Sequence, residues 1–108
     1  MSDSRLPAHL EVSGLIRAVG HAGGFVTVLA KGERDSGTIL VVCCEGGQPR
    51  AAYERMPQVD GSRKWTQVRN QGTENSREIY EYCERRQLQD GDLWIVELDI
   101  VNAERFIE

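Results

Sequence analysis

The sequence is poor in the residues and spacings that usually announce a chemistry. It has three cysteines and two histidines. No Cys-x-x-Cys occurs, and neither His9 nor His21 has a carboxylate or cysteine at ligand spacing, so no metal site of the usual zinc patterns is expected and no cofactor is implied. An odd cysteine count, with Cys43 beside Cys44 and Cys83 far off, does not suit a secreted disulfide framework. The N-terminal residues Met-Ser-Asp-Ser-Arg-Leu-Pro contain no apolar stretch of the signal-peptide kind. The longest apolar run, Ile39 to Cys44, is far short of the ~20 residues of a membrane span. These absences predict a soluble cytoplasmic protein with no membrane partner. A Gly-x-Ser-x-Gly elbow is also missing. The glycines of Gly20-His-Ala-Gly-Gly24 lead out of a helix rather than into one, which is the wrong polarity for a phosphate loop.

What is present fits one ordinary domain over residues 1–108, with no linker or repeat to divide it. The net charge of −4 argues against a generic polyanion binder, which usually starts basic. It averages an uneven distribution: residues 51–73 carry a net +2 and residues 74–108 a net −6.

Pro7 suits the first turn of a helix. Val12, Leu15, Ile16 and Val19 repeat at helical spacing behind it, predicting a helix over about residues 7–21. Phe25–Ala30 reads as a strand, and Lys31–Gly37 is dense in turn formers. Thr38–Cys44 is apolar on both parities, the pattern of a central strand buried on two faces. Arg50–Met56 and Lys64–Arg69 read as more polar strands near a sheet edge. A second helix runs from about Asn75, with Glu78 completing a capping-box pattern, to about Gln89. Leu93–Leu98 forms a last strand, and Ala103–Ile107 a closing helical turn. The order α-β-β-β-β-α-β implies an α+β domain, with a mixed or mostly antiparallel sheet flanked by two helices. Either the helices cover opposite faces, or a second subunit covers the face they leave bare.

The hairpin holds the most suggestive surface. Arg50, Tyr53, Arg55, Arg63, Lys64, Trp65 and Arg69 interleave cations with aromatic rings, as sheets that hold single-stranded nucleic acid do. The alternation of a strand would place Tyr53 with Arg55, and Trp65 with Gln67 and Arg69. The bland alternative is a solvated edge whose rings pack on the core. Cys43 and Cys44 are expected on opposite sheet faces as packing thiols, and Cys83 on the apolar face of the second helix. Glu97 and Asp99 share a strand face and are the weakest of the candidates, a carboxylate pair for acid–base work. Nucleases of a related element order need an acid followed by acid-x-Lys, and Glu54-Arg-Met56 lacks the lysine.

Lys31-Gly-Glu-Arg-Asp-Ser-Gly-Thr-Ile39 and Glu84-Arg-Arg followed by Asp90-Gly-Asp-Leu-Trp-Ile-Val-Glu97 form two signatures. With Leu6-Pro-Ala and Glu104-Arg-Phe, they make the chain resemble a family of short bacterial proteins known only as a domain of unknown function. Family members often carry proline at the position of Gly91. The resemblance implies a free-standing domain and brings no catalytic residue. Physically, the second signature suggests an ion-pair cluster in which Arg85 or Arg86 meets Asp90, Asp92 or Glu97. Taken together, the residues favour a non-enzymatic interaction module. A homodimer formed through sheet or helix surfaces is its expected form, with another protein as a possible partner. Single-stranded nucleic acid is the alternative.

Overall fold

A computed structural model describes residues 6–57, 59–70 and 77–107. Helix α1 (Ala8–His21) is followed by strands β1 (Phe25–Ala30), β2 (Ile39–Glu45), β3 (Gln48–Pro57) and β4 (Arg63–Asn70). Helix α2 (Arg77–Gln89), strand β5 (Trp94–Asp99) and a 3-10 turn (Ala103–Phe106) complete the chain. The fold is α+β, and the five strands form one mixed sheet in the order β1-β5-β2-β3-β4. Only β2 and β5 pair in parallel; the other neighbours are antiparallel. The capping box expected at Asn75 lies outside the described residues.

The two helices take opposite faces. Val12, Leu15 and Val19 of α1 pack with Ile39, Val41 and Cys43 of β2 and with Trp94, Val96 and Leu98 of β5. Ile79 and Cys83 of α2 pack with Leu40, Val42 and Cys44, and with Leu93 and Ile95. Both parities of β2 are therefore used within a single chain, and no second subunit is needed to cover the sheet face. Cys43 and Cys44 enter different cores, as strand alternation requires.

Pro7 heads α1, and its carbonyl accepts the Leu10 and Glu11 N–H groups. The start of α1 is also tied to the β1–β2 connection, since Ala8 and His9 donate their N–H groups to the Asp35 and Arg34 carbonyls. That connection crosses the start of β5, which separates β1 from β2.

Polarity does not decide which strands lie at the edge. Polar β4 is one edge, but β3 is interior, and the other edge is the apolar β1. A bulge interrupts β1 at Leu29. Another interrupts β4, where Ala52 faces Arg69 and Tyr53 faces Gln67, leaving Val68 unpaired.

Candidate functional site

The hairpin residues separate onto two faces. On the α1 face, the Arg55 guanidinium lies 4.6 Å above the Trp65 ring and forms an ion pair with Glu11 of α1. Trp65 and Tyr53 pack against the α1-side core. The Tyr53 hydroxyl accepts from Gln67 Nε2 at 3.0 Å and donates to Glu104 Oε2 at 3.3 Å. Arg69 does not join Trp65 and Gln67. The bulge at Val68 breaks the alternation, and Arg69 stacks 4.2 Å above the Tyr82 ring of α2 instead. Arg50 and Lys64 are exposed, and Arg63 is half-buried. The arginine–aromatic pairs that suggested a stacking surface are thus satisfied within the molecule.

Between α1 and the β3–β4 hairpin runs a groove made of three adjoining cavities. One of about 480 Å³ is lined by Glu11, Arg55, Arg63, Lys64, Trp65 and Ile107. A second, of about 320 Å³, extends it toward Asp35, Ser36 and Gly37. A third, of about 250 Å³, continues along α1 past Leu10, Gly14 and Ala18. Glu11 borders all three. Nothing local in the sequence marked Glu11, whose partner Arg55 is 44 residues away.

The two sequence signatures meet and are structural. Glu33 Oε1 accepts the N–H groups of Asp35 and Ser36 and the Ser36 hydroxyl, which sets the turn of residues 33–36. These bonds hold the Glu33 carboxyl below its ordinary value. The Trp94 indole N–H donates to the Glu33 carbonyl at 2.7 Å, and the Glu33 N–H donates to the Asp92 carbonyl at 2.9 Å. The contact is close enough to need glycine: a Cβ at Gly32 or Gly37 would lie 2.1 or 2.4 Å from the Asp92 carbonyl oxygen.

Within the ion-pair cluster expected among Arg85, Arg86, Asp90, Asp92 and Glu97, the Asp90 charge acts on Arg86, but the hydrogen bonds of Arg86 go elsewhere. Arg86 reaches across to Glu54 of β3, with Nη2 to Oε1 at 2.8 Å and Nε to Oε2 at 2.9 Å. The Tyr82 hydroxyl donates to the same carboxylate at 2.6 Å. Helical spacing explains this: Ile79, Tyr82, Cys83 and Arg86 share the face turned to the sheet. Arg85 instead lies 6.0 Å from the Tyr82 ring centre. Asp90 accepts the Asp92 N–H in the turn before β5, and Glu97 accepts the Tyr80 hydroxyl. Burial pushes the Glu54 carboxyl up, but the Arg86 and Tyr82 hydrogen bonds and the Arg86 charge outweigh it, so Glu54 titrates below its ordinary value.

The remaining candidates are held in structural roles. Asp99 accepts the Gly47 N–H at 2.8 Å, while its strand neighbour Glu97 is engaged by Tyr80. Burial pushes the Cys43 thiol up to about 12 and the Cys83 thiol to about 11, and raises Cys44 as well. Such thiols are not activated nucleophiles. Among the described residues no group of three or more His, Cys, Asp or Glu side chains is placed to hold a metal ion, and no helix is long and apolar enough to cross a membrane.

The sheet edge at β1 differs from all of these. Phe25 is 75% exposed, Leu29 44% and Val28 40%, and Phe25–Ala30 contains no charged residue. At the opposite edge, β4 carries Arg63, Lys64 and Arg69.

Comparison with known proteins agrees with the two signatures. Residues 6–108 match the family described as "Protein of unknown function (DUF1491)". The chain belongs to DUF1491. A crystal structure of a family protein from Caulobacter crescentus CB15 is 30% identical, with 94% of each chain covered and a TM-score of 0.81. An NMR structure of a DUF1491 protein from the same organism is 30% identical, covering 94% of this chain and 91% of that one, with a TM-score of 0.78. The solution structure of protein Atu0922 from A. tumefaciens is 34% identical over 89% of this chain and 86% of that one, with a TM-score of 0.72. No curated protein matches the chain. The DUF1491 fold is thus shared at a level that fixes architecture, and the family's description assigns no activity.

Proposed function

We propose that this DUF1491 protein is a non-enzymatic, self-associating interaction module whose copies join through β1. The exposed, uncharged edge of Phe25–Ala30 carries this reading. An edge strand presents unpaired N–H and C=O groups, and proteins normally guard such edges with charge, proline or a covering element. Here β4 is guarded by its cations, whereas β1 carries no charge and is broken only near its end, by the bulge at Leu29.

A second copy is the occupant that fits best. Antiparallel pairing of β1 with itself about a twofold axis at Thr27 brings Phe25 of each copy toward Leu29 of the other, which is the self-complementary geometry of a twofold interface. Apolar cross-strand neighbours stabilise such pairing, and β1 brings no like charges into contact. The reading also suits a chain whose polar candidates, Glu54, Glu97, Asp99 and Arg86, are engaged by structural partners. The hairpin lends single-stranded nucleic acid less support, because Arg55 and Arg69 stack on the molecule's own rings and face opposite sides.

Sedimentation equilibrium tests it. The expected result is a dimer with a Kd of about 1–100 μM. Thr27→Lys, which places a charge at the centre of the edge, should give a monomer with unchanged circular dichroism and melting temperature. A wild-type chain that stays monomeric at high micromolar concentration, or a Thr27→Lys chain that still dimerises, overturns the reading.

A further inference from the structure

Helix α1 is not centred on the sheet. It lies closest to β1 and β5, while α2 lies closest to β3 on the opposite face. One flank of α1 faces the hairpin: Glu11 pairs with Arg55, and Leu10 and Ala18 line the groove beside Trp65 and Phe106. Ile16 stands about 140° around the helix from Glu11. The hairpin occupies the far side of the sheet from β1, so Ile16 is on the flank turned to the β1 edge. By spacing it belongs to the apolar stripe, yet it is 45% exposed while Val12, Leu15 and Val19 are buried. Val28 is in the same position on the strand. Val26 and Val28 face the α1 side, since their partners Leu98 and Val96 do. Val26 packs on that core, but Val28 remains 40% exposed.

We propose that the joined β1 strands are roofed on one face by the two α1 helices, with Ile16 of each copy seated on Val28 of the other. This rests on the β1 reading and adds a second layer to it. Antiparallel pairing about Thr27 sets Val26 of each copy opposite Val28 of the other, so valines line the α1 face of the seam. Strands pair about 4.8 Å apart. Helices seated over β1 and β5 of each copy therefore lie about 10 Å apart across the seam, the distance at which helices pack. The level along the strand also fits. Helix α1 runs antiparallel to β1: the Gly24 N–H donates to the Val19 carbonyl at 2.9 Å, and the Ala8 N–H donates to Asp35, beyond the other end of β1. Ile16 lies three residues before Val19, about 4.5 Å along the helix. Val26 lies two residues after Gly24, about 6.6 Å along the strand. Ile16 is thus level with Val26 of its own copy and, across the seam, with Val28 of the other. An edge of six residues offers little area against the roughly 800 Å² per partner of a stable interface, and the α1 layer adds apolar surface to it.

Sedimentation equilibrium on the full chain tests it, with Ile16→Lys compared against Leu10→Lys. The two side chains are almost equally exposed, at 45% and 46%, but Leu10 lies on the hairpin flank. Ile16→Lys should raise the dimer Kd by about tenfold or more with unchanged circular dichroism, and Leu10→Lys should leave it within about twofold. Isotope-filtered NOE spectra of the wild type should place the Ile16 methyls against the Val28 methyls of the other copy, a readout that needs no variant. Three results overturn the roof and leave the β1 reading standing. They are an unchanged Kd for Ile16→Lys, an equal loss in Leu10→Lys, and a dimer that shows contacts centred on Thr27 but none between Ile16 and Val28. A wild-type chain that stays monomeric overturns the β1 reading itself, and the roof with it.

Discussion

Replacing Arg86 of α2 with methionine removes the guanidinium but keeps an unbranched side chain of similar length. Glu54, only 6% exposed, then keeps the Tyr82 hydroxyl and loses its counter-charge. Removing one partner of a fully buried pair costs about 3–5 kcal/mol. The Arg86 side chain is 20% exposed, so some water screens the pair. We therefore expect a loss of about 2–3 kcal/mol at neutral pH. For a domain of this size that lowers the melting temperature by about 8–12 °C. The pH dependence identifies the cause. In the wild type the folded Glu54 carboxyl lies below its ordinary value of 4.5, so its contribution is complete above 4.5 and is lost as pH falls through the lower folded value. In Arg86→Met the strongest single influence on Glu54, burial, is no longer offset by the arginine. The carboxyl then titrates above 4.5, and the variant regains stability as acid protonates it. Thermal or urea unfolding of both proteins from about pH 7 to pH 4 should show the gap narrowing as pH falls. A loss under about 1 kcal/mol at neutral pH, or a gap independent of pH, would refute the reasoning.

Three further outcomes follow from the same packing. Gly37→Ala drives a Cβ into the Asp92 carbonyl oxygen and the Glu33 carbonyl, and should cost about 2–4 kcal/mol in urea unfolding. Trp94→Phe leaves the Glu33 carbonyl without its indole donor and should cost about 1–3 kcal/mol, with Gly37→Ala and Trp94→Phe non-additive because they disturb one contact. The three thiols, all buried and all raised, should resist a disulfide reagent at about pH 8 in the native protein and react together on unfolding.

The sequence was most informative where a local pattern carried the answer. The apolar parities of Ile39–Cys44 identified a central strand, and the helical spacing from Val12 to Val19 identified the buried stripe of α1. The apolar face shared by Ile79 and Cys83 placed α2 equally well. Long-range partners were not legible. Phe25–Ala30 reads as a strand, and only the insertion of β5 between β1 and β2 leaves it at an edge. Arg86 had three acids within a few residues, yet the helix face it shares with Tyr82 points to Glu54, 32 residues away. The bulge at Val68 has no local signature, so the expected grouping of Trp65, Gln67 and Arg69 fails at Arg69. Glu11 was invisible as a site residue for the same reason as Glu54. Its role depends on which strand passes beneath the helix.

The meeting of two copies at β1 is tested most directly by isotope-filtered NOE spectroscopy on an equimolar mixture of labelled and unlabelled chains. The account predicts intermolecular contacts centred on Thr27, with Phe25 of one copy near Leu29 of the other. An absence of intermolecular contacts at dimer-forming concentration, or contacts confined to α1 or α2, would contradict it.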